Sequence, residues 1–490
     1  MMGPVTFDES GEDLVDVLHA VLPPGHAVSP VPVGERTDWF GRTGYADILV
    51  RPGSTPDVAT VLRAASDAGA VVVPVGGNTG LVGGTLGPAA VDGDSSRTPS
   101  RTVLLSLASL TDIDVDPGTG TAVVGAGVTI ADLHAAAEAH GLTYGVDLAS
   151  RDSATIGGTI ATNAGGIHVC AYGVTRAQVL GLEVVLADGA VITDLAGLPK
   201  DNTGYSLKDL FVGSEGTLGV VTRARVRLHP APRRRLLVVA AVDSLSQCVA
   251  VGRDLGRHAT LLACESVDAD SWRAAATDLD VRDPLPGAGG RHRVLVELDI
   301  AGRRPDEALS DMAEVLAGLP DVAIGEDDAD RAALWRLREG QAEWWNIVAA
   351  GGGELHKFDV TLPLADLDAS AAALAALFDT TPGVLRWGIF GHVYEGSLHI
   401  QLTAAPDLGE PDLAEPDLEE PDLEEPDPEE RVLRLVSDAG GSLSSEHGVG
   451  RDKASLLGLR RSDAELAAMR AIKTALDPRG VLNPGVILPG

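Results

Sequence analysis

Cysteine is scarce in this chain of 490 residues: Cys170, Cys248 and Cys264 are the whole supply. Far apart and without a C-x-x-C, they exclude a disulfide framework and a four-thiolate zinc or iron-sulfur site, and they read as buried structural thiols. Basic residues are short as well. Lys and Arg number 38 against 71 Asp and Glu, a formal charge of −33. That balance argues against binding a nucleic-acid backbone or an anionic membrane and points to small molecules or cationic surfaces. No stretch approaches the roughly 18 uninterrupted apolar residues of a membrane helix. The start, MMGPVTFDESGEDLVDVL, has neither a basic n-region nor an apolar h-region. A cytoplasmic protein without an integral membrane segment is the expectation. Also missing are G-x-G-x-x-G and G-x-x-x-x-G-K-[ST], so no Rossmann fingerprint and no P-loop is encoded. A nicotinamide enzyme is a poor fit.

What is present is a globular, loop-rich composition, with 44% apolar residues, 58 Gly and 29 Pro. At roughly 100 to 200 residues per domain the length predicts two to four domains. One segment stands apart: Pro406 to Glu430 is five pentapeptides, PDLGE to PDPEE, with 13 acids and no base. Proline every fifth residue blocks a continuous helix and like charges resist collapse, which predicts a solvated loop, with a docking tail for a basic partner as the other reading. Elsewhere the pattern is mixed. Ser54-Thr55-Pro56-Asp57 caps a helix with Val58, Val61, Leu62 and Ala65 on one face, followed by a strand at Val71 to Val75. Further strands are expected at Thr121 to Gly125, Val179 to Leu186, Leu218 to Leu228 and Leu236 to Val242. The run Pro230 to Arg235 suggests a boundary, and an amphipathic helix is expected at Asp330 to Ala349.

The strand ending at Val75 opens into Gly76-Gly77-Asn78-Thr79-Gly80-Leu81-Val82-Gly83-Gly84, where missing side chains let backbone N–H groups converge on an anion. An ordinary tight turn explains this run alone equally well. Two more glycine-rich runs, Ala154 to Gly166 and Val212 to Gly219, shift the balance toward a long, extended cofactor. A second signal lies downstream. Of 12 histidines, His392, His399 and His447 fall close together, with Glu446 directly before His447. Imidazole and carboxylate together suit a divalent metal, although structural histidines would look the same. A spacing of seven would point His392 and His399 to opposite faces of one straight strand, so the chain between them must turn. Arg338 falls on the helical face of Leu334, Gln341, Ala342 and Trp345, where a guanidinium can grip a carboxylate bidentately. A salt bridge to Glu339 or Asp330 is the alternative.

The runs RPGSTPDV, PVGGNTGLVGG, DLASRDSATIGGTIATNAGG, YGVTRAQVLGLEVVLADG, KDNTGYSLKDLFVGSEGTLGVVT, GHVYEGSLH, SEHGVG and LDPRGVLNPG extend from about Arg51 to Gly485. Through them the chain resembles the vanillyl-alcohol-oxidase-like FAD family with a PCMH-type flavin domain. Within that family it is most similar to the D-2-hydroxy-acid dehydrogenase group, in its D-2-hydroxyglutarate branch. The resemblance implies an α+β fold: a two-subdomain PCMH-type FAD-binding domain (1–235), an α+β cap or substrate domain with an antiparallel sheet (236–405), the acidic loop (406–430), and a C-terminal segment (431–490) returning to the flavin.

It further implies that Val75, Gly76, Gly77, Asn78, Thr79, Gly80, Leu81 and Val82 wrap the FAD pyrophosphate. Ser153, Ile156, Gly157, Gly158, Thr162, Asn163, Gly165 and Gly166, with Glu215 and Gly216, would line the rest, and Asn483 would reach the flavin from the far end of the chain. Relatives with covalent FAD use a histidine in the pyrophosphate loop or cap; Asn78 follows Gly76-Gly77 here, so FAD is expected to be non-covalent. His392, His399 and Glu446 would hold a divalent metal, zinc first, and His447 would be the base. Arg338, Lys357 and Gln401 would contact substrate. Two departures touch the pocket: the family's usual threonine four after the arginine is Ala342, and its usual asparagine two after the second metal histidine is Gln401. GDGNLH has also become Tyr394-Glu395-Gly396-Ser397-Leu398-His399.

The implied reaction is oxidation of a D-2-hydroxy acid, D-2-hydroxyglutarate first and D-lactate or glycolate next, to the 2-oxo acid. Electrons would pass to an external acceptor such as an electron-transfer flavoprotein, a quinone or oxygen. A homodimer is compatible with this reading. The rivals are a flavin-dependent ether-lipid synthase and the flavin-binding subunit of a glycolate-oxidase-like complex.

Overall fold

The computed structural model describes residues 14–88, 101–198, 200–405 and 428–489. Two compact units emerge: Met1–Gly166, Tyr172–Ala231 and Glu446–Gly490 form the first, and Ile167–Ala171 with Pro232–Ser445 form the second. The C-terminal stretch expected as one piece from 431 is therefore shared out between them, changing units at Ser445 and Glu446.

The first unit holds two sheets. The smaller contains β1 (Ala27–Val28), β2 (Ile48–Val50), β3 (Val71–Val75) and β4 (Thr102–Ser106) in the order β1-β2-β4-β3, with β2, β4 and β3 parallel. Parallel strands are covered on both faces, which is why β3 and β4 are apolar runs without alternation. The helix Thr55–Asp67 packs beside them; the Ser54 hydroxyl caps it by accepting the Asp57 amide at 3.3 Å. Pro74 is tolerated because β3 closes the sheet at its edge. On that edge the chain end returns: Val72 donates its amide to Val481 at 2.8 Å, and the Asn483 amide donates to Val72 at 2.9 Å.

The larger sheet contains β5 (Ile113–Asp116), β6 (Thr121–Gly125), β7 (Leu142–Tyr144), β8 (Val179–Val185), β9 (Val191–Asp194) and β10 (Val220–Pro230). Its order is β5-β6-β10-β8-β9, with β7 also on β10, all antiparallel. From Thr222 onward β10 alternates buried with less buried residues, as a sheet covered on one face requires. Its start lies two residues beyond the expected Leu218. Thr217 is still in a turn, its hydroxyl donating to the Ser214 carbonyl at 2.7 Å.

The second unit is built on one seven-stranded antiparallel sheet, β14-β11-β13-β12-β16-β17-β15. Its strands are β11 (Arg235–Val242), β12 (Thr260–Asp268), β13 (His292–Asp299), β14 (Val322–Gly325), β15 (Glu354–Thr361), β16 (Val384–Gly391) and β17 (Ser397–Ala404). Buried Trp272, Trp344 and Trp345 fill the core where helices cover it.

Two expectations are corrected here. The single helix at Asp330 to Ala349 is two helices, Asp328–Glu339 and Gln341–Ala350, divided at Gly340. A Cβ on Gly340 would lie 2.8 Å from both the Arg336 carbonyl oxygen and Leu279, so close packing favours glycine at this turn. The break also removes Ala342 from the buried face of Leu334, Arg338, Gln341 and Trp345; Ala342 is exposed. The acidic repeat falls outside the described residues at 406–427, but its last three residues are not loop. They open the helix Pro428–Asp438, with proline at its start and Glu429 and Glu430 in the first turn, where the helix dipole favours acids.

Cys248 and Cys264 are buried, Cys170 is partly so, and all three are free. Burial pushes the three thiols well above the ordinary range, which suits inert structural cysteines. Among the described residues no helix is long and apolar enough to cross a membrane.

Candidate active site

In the first unit, segments separated by hundreds of residues interlock through backbone. A Cβ on Gly76 would stand 2.4 Å from the Thr155 hydroxyl, and one on Gly77 would stand 1.8 Å from the Ser153 carbonyl oxygen. The first glycine run therefore lies directly on the start of the second. Thr155 caps the helix Ile156–Thr162, and Gly157 donates its amide to Ala126 at 2.8 Å, where a Cβ would clash at 2.7 Å. The third run docks on the end of that helix: the amides of Gly213 and Glu215 donate to Ile160 and Ala161 at 2.9 and 2.8 Å. Asn78, Asn163 and Glu215 all adopt left-handed backbone, and the asparagine side chains hold the turns. Asn78 donates to the Thr37 carbonyl and accepts the Thr85 hydroxyl, while Asn163 accepts the Arg176 amide.

Glu215 carries a role that its sequence position did not disclose. Its carboxylate accepts the amides of Val449 and Gly450 at 2.7 and 2.8 Å, holding the turn that follows Glu446 and His447. Burial lifts this carboxyl above its ordinary pKa, although the two amides and Lys453 pull the other way. Asn483 donates to the carbonyls of Gly84 and Glu215, both at 2.9 Å, and so joins the first run to the third. Lys473 fixes the same corner through the carbonyls of Thr217 and Leu482. Gly166 donates its amide to Glu446 Oε1 at 2.6 Å, which ties the second run to the SEHG segment.

A phosphate-bearing cofactor fits this arrangement on two counts. The runs meet where side chains are excluded, and Asn483 Oδ1, on a residue only 2% exposed and with no hydrogen-bond partner among the described residues, calls for an N–H or O–H donor, which the non-phosphate part of such a cofactor supplies.

In the second unit the chemistry is carried by side chains. The turn expected between the two histidines is a hairpin: β16 ends at Gly391, Gly396 takes left-handed backbone at φ 77°, and β17 begins at Ser397. A Cβ on Gly396 would meet the Leu362 carbonyl oxygen at 2.2 Å, so no other residue makes this turn without displacing backbone. The hairpin brings His392 and His399 together, ring centroids 5.3 Å apart and nearly perpendicular.

Beside them lies a carboxylate that the sequence reading missed. Glu265 of β12 is 1% exposed; Oε1 is 2.6 Å from His392 Nδ1, and Oε2 accepts Arg338 Nε and Nη2 at 2.8 and 2.7 Å. Arg338 therefore has an ion-pair partner, but neither Glu339 nor Asp330. Burial alone would raise the Glu265 pKa; the contacts with His392 and with the Arg338 guanidinium outweigh it and hold the carboxyl below the usual range. The Arg338 guanidinium also stacks on Phe390 at 4.9 Å, and Phe390 lies 5.2 Å from the His399 ring.

On the other side of His399, buried Asp359 is its cross-strand neighbour, with Oδ1 3.5 Å from Nδ1. Asp359 Oδ2 accepts the amide of Ser445 at 3.1 Å, and Ser445 precedes Glu446 in the chain. Lys357 stands opposite Gln401 in the β15–β17 register and donates to Asn346 Oδ1 at 3.2 Å; burial lowers its pKa. Gln401 Oε1 is buried with no hydrogen-bond partner among the described residues. The second unit thus brings His392, His399, Arg338, Lys357 and Gln401 onto neighbouring strands and one helix. Glu446 and His447 belong to the first unit.

A family profile described as "FAD linked oxidases, C-terminal domain" matches residues 231–487, and one described as "FAD binding domain" matches residues 46–194. The mitochondrial D-2-hydroxyglutarate dehydrogenase of Bos taurus is 33% identical, with 99% of this chain and 85% of the relative aligned. D-2-hydroxyglutarate dehydrogenase of Xanthomonas citri pv. viticola is 35% identical, over 91% of this chain and 90% of the relative. The D-2-hydroxyglutarate-pyruvate transhydrogenase of Saccharomyces cerevisiae is 32% identical over 91% and 88%. Among solved structures, p-cresol methylhydroxylase with substrate bound superimposes with a TM-score of 0.70 at 16% identity, covering 97% of this chain and 96% of that one. An alkyldihydroxyacetonephosphate synthase gives 0.69 at 15%, over 97% and 86%. At such identities the structural likeness establishes the α+β flavoenzyme fold alone.

Proposed function

Because the chain belongs to the FAD linked oxidases, in the group of the D-2-hydroxyglutarate dehydrogenases, we propose that it oxidises D-2-hydroxyglutarate to the 2-oxo acid. It is an FAD-linked oxidoreductase. The observation that carries the substrate is the buried Arg338, its guanidinium over the Phe390 ring, with Gln401 two strands and Lys357 three strands away from Glu265 and paired with each other in the β15–β17 register. These groups suit an acid with a carboxylate at each end.

Bound FAD, held without a covalent bond, supplies the two-electron acceptor, and a divalent metal at His392, His399 and Glu446, zinc by ligand chemistry, would acidify the substrate hydroxyl. The remaining work falls to this chain. Arg338 and Lys357 hold the carboxylates and Gln401 supplies a buried acceptor, which fixes C2 in one orientation. His447, as a neutral imidazole, takes the hydroxyl proton on a ring nitrogen while C2 gives up its hydride. The electrons leave for an external acceptor, among which a flavoprotein, a quinone, oxygen or a second 2-oxo acid such as pyruvate are the classes to compare. A cytoplasmic location belongs to the same proposal; several relatives are mitochondrial by name, and cell fractionation decides.

Anaerobic flavin absorbance tests the proposal, titrated with D-2-hydroxyglutarate, D-lactate and glycolate before and after chelation. D-2-hydroxyglutarate should bleach the flavin at the lowest concentration, chelation should abolish the bleaching and zinc should restore it. A yellow protein that D-2-hydroxyglutarate does not bleach would overturn the substrate; bleaching that survives chelation would overturn the metal.

A further inference from the structure

We infer that Glu265 is a positioning residue shared by the two halves of the substrate site, orienting His392 with one carboxylate oxygen and Arg338 with the other. The inference rests on the proposed roles of those two residues and adds a third that the motifs do not mark.

The geometry is specific. Glu265 lies on β12, in the middle of the seven-stranded sheet and 1% exposed, so its charge must be met by protein groups. Each oxygen has a different partner: Oε1 is 2.6 Å from His392 Nδ1, and Oε2 lies 2.8 and 2.7 Å from Arg338 Nε and Nη2. A carboxylate placed only to neutralise Arg338 would serve with both oxygens on the guanidinium fork. Here one oxygen is turned away to a histidine 127 positions along the chain.

Each contact has a chemical consequence. An acceptor at Nδ1 keeps the ring proton on that nitrogen, so the neutral imidazole presents its lone pair at Nε2 and gains basicity there; a carboxylate behind a ligating histidine orients it in this way. For Arg338, Glu265 engages the Nε–Nη2 edge. That leaves the Nη1–Nη2 edge as the one that can meet a substrate carboxylate bidentately. Phe390 lies under the guanidinium at 4.9 Å, and Glu265 holds its Nε–Nη2 edge. One side chain therefore sets the distance between the group that holds the metal and the group that holds the acid, and the hydroxyl and carboxylate of a 2-hydroxy acid must match that distance.

Glu265→Gln keeps the shape and removes the charge. In the flavin-loaded protein its zinc affinity, measured by chelator competition, should fall roughly 10- to 100-fold. Its KM for D-2-hydroxyglutarate should rise roughly tenfold, the loss of one charge-assisted contact. Saturating zinc should restore kcat but not KM, a split that general loosening of the sheet would not produce. Glu265→Asp, which retains the charge, should recover part of both. Zinc lost in His392→Asn but held within about twofold of wild type in Glu265→Gln, with KM unchanged, overturns this inference alone. Wild-type protein that binds no zinc, or His392→Asn that keeps it, overturns the metal reading and the His392 half of this inference with it. Should Glu265→Gln not fold, Arg338→Lys carries the test: zinc affinity shifts at least about threefold if the carboxylate is shared, and stays within about twofold if it is not, which overturns the sharing.

Discussion

In the first unit the residues brought together meet on backbone: Gly76 and Gly77 on Ser153 and Thr155, Gly213 and Glu215 on the end of the helix Ile156–Thr162, and the Asn483 side-chain amide on the carbonyls of Gly84 and Glu215. In the second they act through long side chains, with Glu265, Arg338, His392 and His399 converging from β12, one helix and the β16–β17 hairpin. A phosphate-bearing cofactor is large and needs many weak, repeated contacts, which main-chain amides supply once side chains are cleared away. A small acid undergoing proton and hydride loss needs a few strong, directional contacts, which charged side chains supply. The two kinds of site leave different traces. Clearing side chains demands glycine in runs, whereas directional side chains need only meet in space.

The strongest attack on this contrast is a methyl group in the first glycine run. Gly77→Ala would set a Cβ 1.8 Å from the Ser153 carbonyl oxygen, a clash with backbone rather than with a flexible side chain. Overpacking of this kind costs about 3 kcal/mol, so the melting midpoint should drop and flavin should be lost together. Gly80→Ala is the informative partner: among the described residues no atom lies within 4 Å of the added Cβ, and its backbone is not left-handed. Its stability should stay within about 0.5 kcal/mol of wild type. FAD affinity, by fluorescence of the released cofactor, should still fall roughly tenfold if the cofactor fills that space. Unchanged affinity in Gly80→Ala would return that end of the run to an ordinary turn.

A smaller effect is expected where a side chain serves the backbone. Glu215→Gln replaces one acceptor oxygen with an N–H donor facing the amide of Val449 or Gly450. Leaving a buried donor unmet costs about 1 to 3 kcal/mol, to be read as a lower melting midpoint and faster flavin release. Unchanged stability would mean that the 446–450 turn is held by its other contacts, and would weaken the division between backbone and side-chain sites.

The same contrast explains what was legible. Strands at Val71–Val75 and Thr121–Gly125 and the cap at Ser54 lie within short windows, and pattern alone places them. The β16–β17 hairpin follows from requiring His392 and His399 to meet. The division at Gly340 was not readable because the apolar periodicity runs on through Gln341 and Trp345, and part of the crowding at that glycine comes from Leu279, 61 positions away. Glu265 was invisible for the same reason: one glutamate among 71 acids has no local signature, and its partners lie 73 and 127 positions off. Arg338 drew attention as a guanidinium on a helix, but its true partner could be identified only once β12 stood beside that helix.

The acidic repeat presses the comparison from the opposite side, since it is the most conspicuous feature of the sequence and carries neither a glycine run nor a histidine or basic side chain. Residues 406–427 lie outside the described residues, between β17 and the helix that begins at Pro428, and carry 11 acids. Replacing them with a short Gly-Ser linker leaves the β16–β17 hairpin, Glu265 and Arg338 untouched, and closure entropy changes only slowly with loop length. Activity should remain within about threefold, under about 1 kcal/mol in the barrier. Any residual effect should be electrostatic, because removing negative charge favours approach of a dianionic acid. KM should then fall slightly at low salt, and the difference should vanish near 0.15 M, where the Debye length is about 8 Å. A drop in kcat or loss of zinc on replacement would show that the repeat acts on the metal-bearing strands, and that conspicuous composition, like a glycine run, had marked function after all.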